Sequence, residues 1–117
     1  MKRIMLKSKI HRALLTGTEL DYEGSISIDS LLLKEADLLP GEQVHVLNLN
    51  NGSRITTYII EALAESGTMM LNGPAARLGA IGDPIIVLSY CEMTEEEARS
   101  IEPRIVLVDQ NNRPKVK

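Results

Sequence analysis

With 117 residues and a net charge of −3, the chain has room for one domain, since a second would be too small to hold a core. Phe and Trp are absent and aromatic content is 3%, so the core must be aliphatic, and Tyr22, Tyr58 and Tyr90 stand out. Cys91 is the only cysteine, which excludes an intrachain disulfide and a cysteine-rich zinc site. No metal centre is expected, and Cys91 reads as a buried thiol in an apolar run.

Strand patterns dominate. Met5 to Leu15 is rich in β-branched and long residues and ends at a turn, Thr16-Gly17-Thr18. Lys2, Arg3, Lys7, Lys9 and Arg12 fall within residues 1–12 without an acid. Such a cluster can meet phosphates, but no interleaved aromatics support a nucleic-acid platform; the charge can equally attract a small dicarboxylate. Lys7 and Lys9 also interrupt any signal-peptide core, and the apolar runs are too short to span a bilayer. A cytoplasmic protein without membrane or nucleic-acid partners is expected.

Ser25 to Ile28 alternates with period two, and Leu31 to Ala36 predicts a short helix capped by Asp29 or Ser30. Leu39-Pro40-Gly41-Glu42 is a turn before a strand over Gln43 to Leu49. Asn50-Asn51-Gly52-Ser53 is the strongest hairpin signal, because Asn-Gly readily supplies positive φ. It leads into a strand from Arg54 to Ala62. Another strand over Thr68 to Leu71 precedes a Pro-initiated helix at Pro74 to Arg77. A strand from Pro84 to Tyr90 is followed by Thr94-Glu95-Glu96-Glu97, a cap with acids suited to a helix start. Arg104 to Val108 predicts the last strand, and 109–117 a flexible polar tail.

Leu38 to Val46 resembles Gly79 to Val87 at an offset of 41 residues. Each segment reads as short helix, loop, Gly-acid pair and apolar strand. Such a repeat would suggest a barrel of two interlocked halves.

The dipeptide Gly24-Ser25 stands at the mouth of an alternating run. By itself it is an ordinary turn. Yet glycine tolerates conformations that expose its carbonyl, and the Ser25 hydroxyl can add to the Gly24 carbonyl, converting the amide to an ester if donors stabilise the oxyanion. Elimination from that ester and hydrolysis would leave a pyruvoyl group on a new N-terminus at residue 25.

Lys9-Ile10-His11-Arg12, Tyr22-Glu23-Gly24-Ser25, Asn51-Gly52-Ser53-Arg54, Thr57-Tyr58 and Asn72-Gly73-Pro74-Ala75-Ala76 occur in that order. In order and spacing they resemble the bacterial aspartate 1-decarboxylases, small pyruvoyl-dependent enzymes that make β-alanine for pantothenate. The resemblance runs from Met1 to about Arg104, through Glu95-Glu96-Glu97-Ala98-Arg99. Pro74 departs from the family's usual alanine, and it removes one backbone N–H from that loop.

The resemblance implies a mainly β fold, a six-stranded double-psi β-barrel with short flanking helices, cleaved between residues 24 and 25. It implies a self-processing lyase that converts L-aspartate to β-alanine and CO2 through a pyruvoyl group derived from Ser25. It also implies a homotetramer with sites at subunit boundaries and, in some members, an accessory processing activator. Carried over by position, Ser25 and Tyr58 are catalytic, and Gly24, Ser25 and Thr57 serve self-processing. Lys9, Arg54, Thr57, Asn72, Gly73, Pro74 and Ala75 bind substrate, with His11 and Tyr22 in support.

The residues themselves suit these roles. Arg54 can grip a carboxylate with a bidentate fork. Tyr58 lies four residues on, on the same strand face, and its phenol arrives protonated at neutral pH. Thr57 falls on the opposite face, so a local irregularity is expected there if it shares the site. Two other classes compete: a non-catalytic double-psi barrel that binds or regulates, and a nucleic-acid-binding barrel using the basic first strand. The former would have lost Ser25, Tyr58 or Arg54, and all three are present.

Overall fold

The computed structural model describes residues 1–115. Eight strands are β1 (Lys2–Leu14), β2 (Gly17–Glu19), β3 (Ser25–Asp29), β4 (Gln43–Asn48), β5 (Arg54–Ala62), β6 (Met69–Asn72), β7 (Pro84–Thr94) and β8 (Arg104–Leu107). The helices are α1 (Ser30–Ala36), α2 (Glu95–Ser100) and a 3₁₀ helix over Gly73–Leu78. No helix among the described residues is long and apolar enough to cross a membrane.

The strands hydrogen-bond in the order β2-β6-β3-β5-β4-β7-β1-β8. Eight strands therefore stand where six were expected. Gly17, read as part of a turn, instead opens β2, paired with β6. The six strands from β3 to β8 in that order are symmetric about the β4–β7 pair. β4 and β7 are antiparallel, each is antiparallel to its next neighbour, and the outer pairs β3–β5 and β1–β8 are parallel.

The internal repeat has a structural counterpart. Gly41 and Gly82 both have positive φ, +85° and +92°. Gly41 N donates to Ile59 O, and Ile59 N donates back to Glu42 O; Gly82 N donates to Leu15 O, and Leu15 N donates back to Asp83 O. The following acids behave alike. Glu42 accepts from Leu39 N and Asp83 from Ala80 N, each at 3.0 Å.

Each acid is also held by the opposite half: Glu42 by the Ser89 hydroxyl and Asp83 by the Asn48 amide. Both carboxyls sit below their ordinary pKa. Burial works against this in Glu42, but hydrogen bonds from Ser89 and Leu39 and the Lys7 ion pair outweigh it. In Asp83 the Asn48 and Asn50 amides and the Ala80 N–H are responsible. Such a depressed carboxyl stabilises the fold above its unfolded pKa, and that contribution fades as pH falls through the folded value.

One face of the sheet packs the aliphatic core. Ile10, Val87 and Val46 lie in one cross-strand row and are all buried; Val46 continues the row to Ile55. Paired residues share a face, so Lys9, Leu88, His45 and Thr56 form the adjoining row on the outer face. The helix signals hold. Asp29 Oδ1 caps α1 through Leu31 N at 2.9 Å, and Thr94 and Glu97 form a capping box on α2.

Two expectations are corrected. Cys91 is half-buried, not buried, because it lies past the continuously buried stretch of β7, which ends at Ser89. The flexible tail is tied down over 109–115, while residues 116 and 117 lie outside the described residues. Asn112, 1% exposed, accepts from Leu14 N and donates to Leu14 O and Gly67 O. Val108 bridges Pro114, and Arg113 reaches Glu65 O at 2.6 Å. Asn112→Ala leaves buried backbone groups unpaired. It is expected to lower unfolding stability by about 1–3 kcal/mol, read as an earlier denaturation midpoint at unchanged slope.

Candidate active site

The β3–β5 ladder begins at Ile26 and Ile59, so β5 residues 54–58 have no strand pairing on that side among the described residues. The segment Tyr22–Gly24 peels away from this edge, and the 3₁₀ helix closes the gap. Between them lies a cavity of about 360 Å³ lined by Gly24, Ile55, Thr56, Thr57, Tyr58, Pro74, Ala75 and Leu78. Its consecutive β5 residues contribute through an open backbone edge as well as side chains.

Ser25 is fully buried at the first position of β3, opposite Asn72 of β6. Its Oγ folds back over Gly24 to donate to Glu23 O at 3.0 Å, and accepts from Asn72 Nδ2 at 3.0 Å. The same amide donates to Ser27 Oγ at 2.9 Å. Asn72 thus grips the hydroxyl at the Gly24–Ser25 bond, a sharper placement than a general oxyanion contact.

Gly73 is irreplaceable on steric grounds. Its φ is +65°, and a Cβ there would lie 2.7 Å from both Gly24 N and Tyr22 O. This close approach presses the start of the 3₁₀ helix onto residues 22–24. Pro74 stands at the start of that helix, where a missing N–H costs no helical bond, and its Cδ packs beside Gly24.

Tyr58 pairs with Gln43 and Thr57 with the buried Val44 in one unbroken register. The expected irregularity at 57 is absent from this ladder: the two residues face opposite ways, and both line the cavity because it runs along the strand edge. Burial first, then the hydrogen-bonding Glu23 carboxylate and nearby Tyr22, raise the Tyr58 pKa above its ordinary value. The phenol therefore keeps its proton at neutral pH. Tyr22 itself is half-exposed at 51%.

Arg54 is not in this cavity. It lines a second one of about 510 Å³ with Ile4, Gln43, His45 and Tyr90. Lys9 and His11 lie on β1, separated from β3 by β5, β4 and β7 in the strand order. His11 lines a further cavity with Arg12 and Asp109. Burial, with Lys9 and Arg12, lowers its pKa, and its Nδ1 is buried without a partner. One chain thus gathers Gly24, Thr57, Tyr58, Pro74 and Ala75 with Ser25, Asn72 and Gly73 behind them. It does not bring Arg54, Lys9 or His11 to them.

Sequence reasoning missed Glu23, Ser27, His45 and Tyr90. The Asn-Gly hairpin could have pointed to His45, because its register sets β4 directly beside Arg54 and Thr56.

Residues 1–115 match the family profile described as aspartate decarboxylase. The aspartate 1-decarboxylase of Thermoanaerobacter pseudethanolicus is 54% identical over 114 residues, covering 97% of each chain. The aspartate 1-decarboxylase 1 of Gloeobacter violaceus is 58% identical, covering 97% of this chain and 96% of its own. That of Acaryochloris marina is 56% identical, covering 97% and 86%. A profile match over nearly the whole chain, relatives of this identity, and a buried Ser25 gripped by Asn72 agree: the chain belongs to the aspartate decarboxylase family.

Proposed function

We propose that this chain cuts itself between Gly24 and Ser25 and decarboxylates L-aspartate to β-alanine and CO2, supplying pantothenate synthesis. The observation that carries this is the Ser25 hydroxyl, buried, folded over Gly24 and held by Asn72.

In processing, the Ser25 Oγ bonds to the Gly24 carbonyl carbon as the C–N bond breaks, giving an ester and a free amine. Asn72 Nδ2 orients Oγ for this attack, and Thr57, which lines the same cavity as Gly24, supplies a donor to the oxyanion. The site fits a pyruvoyl group: Gly73 leaves no side chain between its backbone and residues 22–24. Elimination of the Gly24 carboxylate from the ester, then hydrolysis with loss of ammonia, would leave that group at residue 25, where it would supply a ketone to the substrate amine and an electron sink for decarboxylation.

The remaining residues bind and protonate. Arg54 grips the carboxylate that is kept, and Lys9 makes a second carboxylate contact. Tyr58 holds its proton and delivers it to the carbon that lost CO2. Asn72 and the backbone of Gly73, Pro74 and Ala75 shape the substrate cavity, with His11 and Tyr22 around it. The symmetric six-strand order supports a double-psi β-barrel. Three strands separate Lys9 from Ser25, which favours a homotetramer whose sites each draw residues from two copies.

The direct test is an intact-mass spectrum of purified protein, expected to show pieces 1–24 and 25–117, alongside CO2 release from aspartate. Arg54→Lys keeps the charge but loses the fork. It should still cleave, while kcat/KM for aspartate falls roughly 10- to 100-fold. Normal turnover by this variant would mean another base holds the substrate.

A further inference from the structure

Arg54 does not hang free in its cavity. Its Nη2 lies 3.1 Å from Nδ1 of His45 on β4 and 3.1 Å from the hydroxyl of Tyr90 on β7. A guanidinium has only donors, so both contacts require acceptors. Nδ1 of His45 must present its lone pair, with the ring proton on Nε2. The His45 and Tyr90 rings brace each other, with centroids 5.2 Å apart and planes tilted by 58°.

Both acceptors stand on strands of the central antiparallel pair, where register fixes their positions. His45 pairs with Leu88 on one side and Thr56 on the other. Strand-mounted groups hold a partner more tightly than loop-mounted ones. Because the two acceptors meet a single guanidinium nitrogen, the other donors of Arg54 remain for a ligand. That division suits a carboxylate fork held from behind.

We propose that His45, assisted by Tyr90, is a positioning residue that aims Arg54 at the substrate carboxylate and makes aspartate binding weaken in acid. This rests on Arg54 being the carboxylate-binding residue. Arg54 on β5 and Tyr90 on β7 contact His45, and the other charged groups on the same sheet face are Lys9 on β1, in the same cross-strand row, and Glu92, two residues beyond Tyr90 on β7. A proton on Nδ1 would remove the acceptor and set a second positive charge against the guanidinium. Arg54 would then swing away from its aligned pose. Carboxylate binding would suffer, while Gly24–Ser25 cleavage, in the other cavity, would not.

The test is steady-state kinetics with aspartate on processed enzyme from about pH 5.5 to about pH 8. In the wild type, KM should rise toward acid with kcat little changed. His45→Leu should raise KM at neutral pH about tenfold, leave kcat within about twofold, and cleave fully by intact mass. His45→Asn, whose Oδ1 can sit near the Nδ1 position, should recover most of the neutral-pH KM and lose the acid rise. Tyr90→Phe removes one acceptor only and should give a smaller KM increase. It carries the test together with His45→Asn if His45→Leu does not fold.

An unchanged KM and a wild-type pH profile in these variants would overturn the proposal. So would equal losses in cleavage, kcat and KM, which mark a structural role alone. Arg54→Lys run in parallel separates the two readings. Normal turnover there defeats the assignment of Arg54 itself, whereas a crippled Arg54→Lys beside unaffected His45 variants defeats only the clamp.

Discussion

Ser25→Ala should give a folded, uncut chain of 117 residues that releases no CO2 from aspartate. The substitution deletes the nucleophile, and no other hydroxyl takes its place: the Ser27 hydroxyl is two residues further along β3 and paired with Asn72. Folding should survive. Alanine fits a fully buried position, and Asn72 Nδ2 keeps its 2.9 Å bond to Ser27 when Ser25 Oγ is lost. Intact mass reads the cleavage and thermal unfolding reads the fold. Full activity from an uncut chain would end the pyruvoyl reading.

Making the cofactor and using it should separate at residues 57 and 58. Tyr58→Phe removes one hydroxyl, keeps the ring and leaves the Gly24–Ser25 bond untouched. It should therefore be cleaved, yet lose about 10²–10⁴-fold in β-alanine formation, the usual worth of a positioned acid. The raised pKa of Tyr58 suits the role, because the group must hold a proton until carbon needs it. Thr57→Val should do the reverse: remain uncut, and be inactive for want of a ketone. A single gel with a CO2 assay reads both. Processed and fully active Tyr58→Phe would point to water or another residue as the donor.

Much of this was legible in the sequence because local chemistry wrote it there. β5 spans Arg54–Ala62 as its alternation predicts, and Asp29 and Thr94 cap helices where expected. The Gly-acid repeat at residues 41–42 and 82–83 reappears as matched backbone bonds. What stayed hidden depends on contacts between distant segments. Residues 109–115 look like a polar tail, and tertiary contacts order them: Asn112 with Leu14 and Gly67, Arg113 with Glu65 and Pro114 with Val108. β2 is three residues long and exists through its pairing with β6. The site was legible as a residue set but not as a place. Spacing put Arg54 and Tyr58 on one strand face, while the direction of the Arg54 side chain, toward His45 and Tyr90, follows from side chains on two other strands.

β1 lies between β7 and β8, and this placement governs how the protein can be remade after it is damaged. Both sheet partners of β1, and β6, the partner of β2, come after residue 25. A cut at 24–25 would therefore leave two pieces joined by no covalent bond, held by sheet bonds, core packing and side-chain links such as Leu14–Asn112 and Lys7–Glu42. The uncut chain folds as one molecule at a rate independent of concentration. A cleaved pair, once unfolded, would have to find each other again, so its recovery should slow on dilution and compete with aggregation. Assembly would also have to precede such a cut, because Asn72 reaches Ser25 and Gly73 approaches Gly24 only in the folded state. Birth as a single chain is then the dependable route to this architecture, and its durability rests on how slowly the first strand is released.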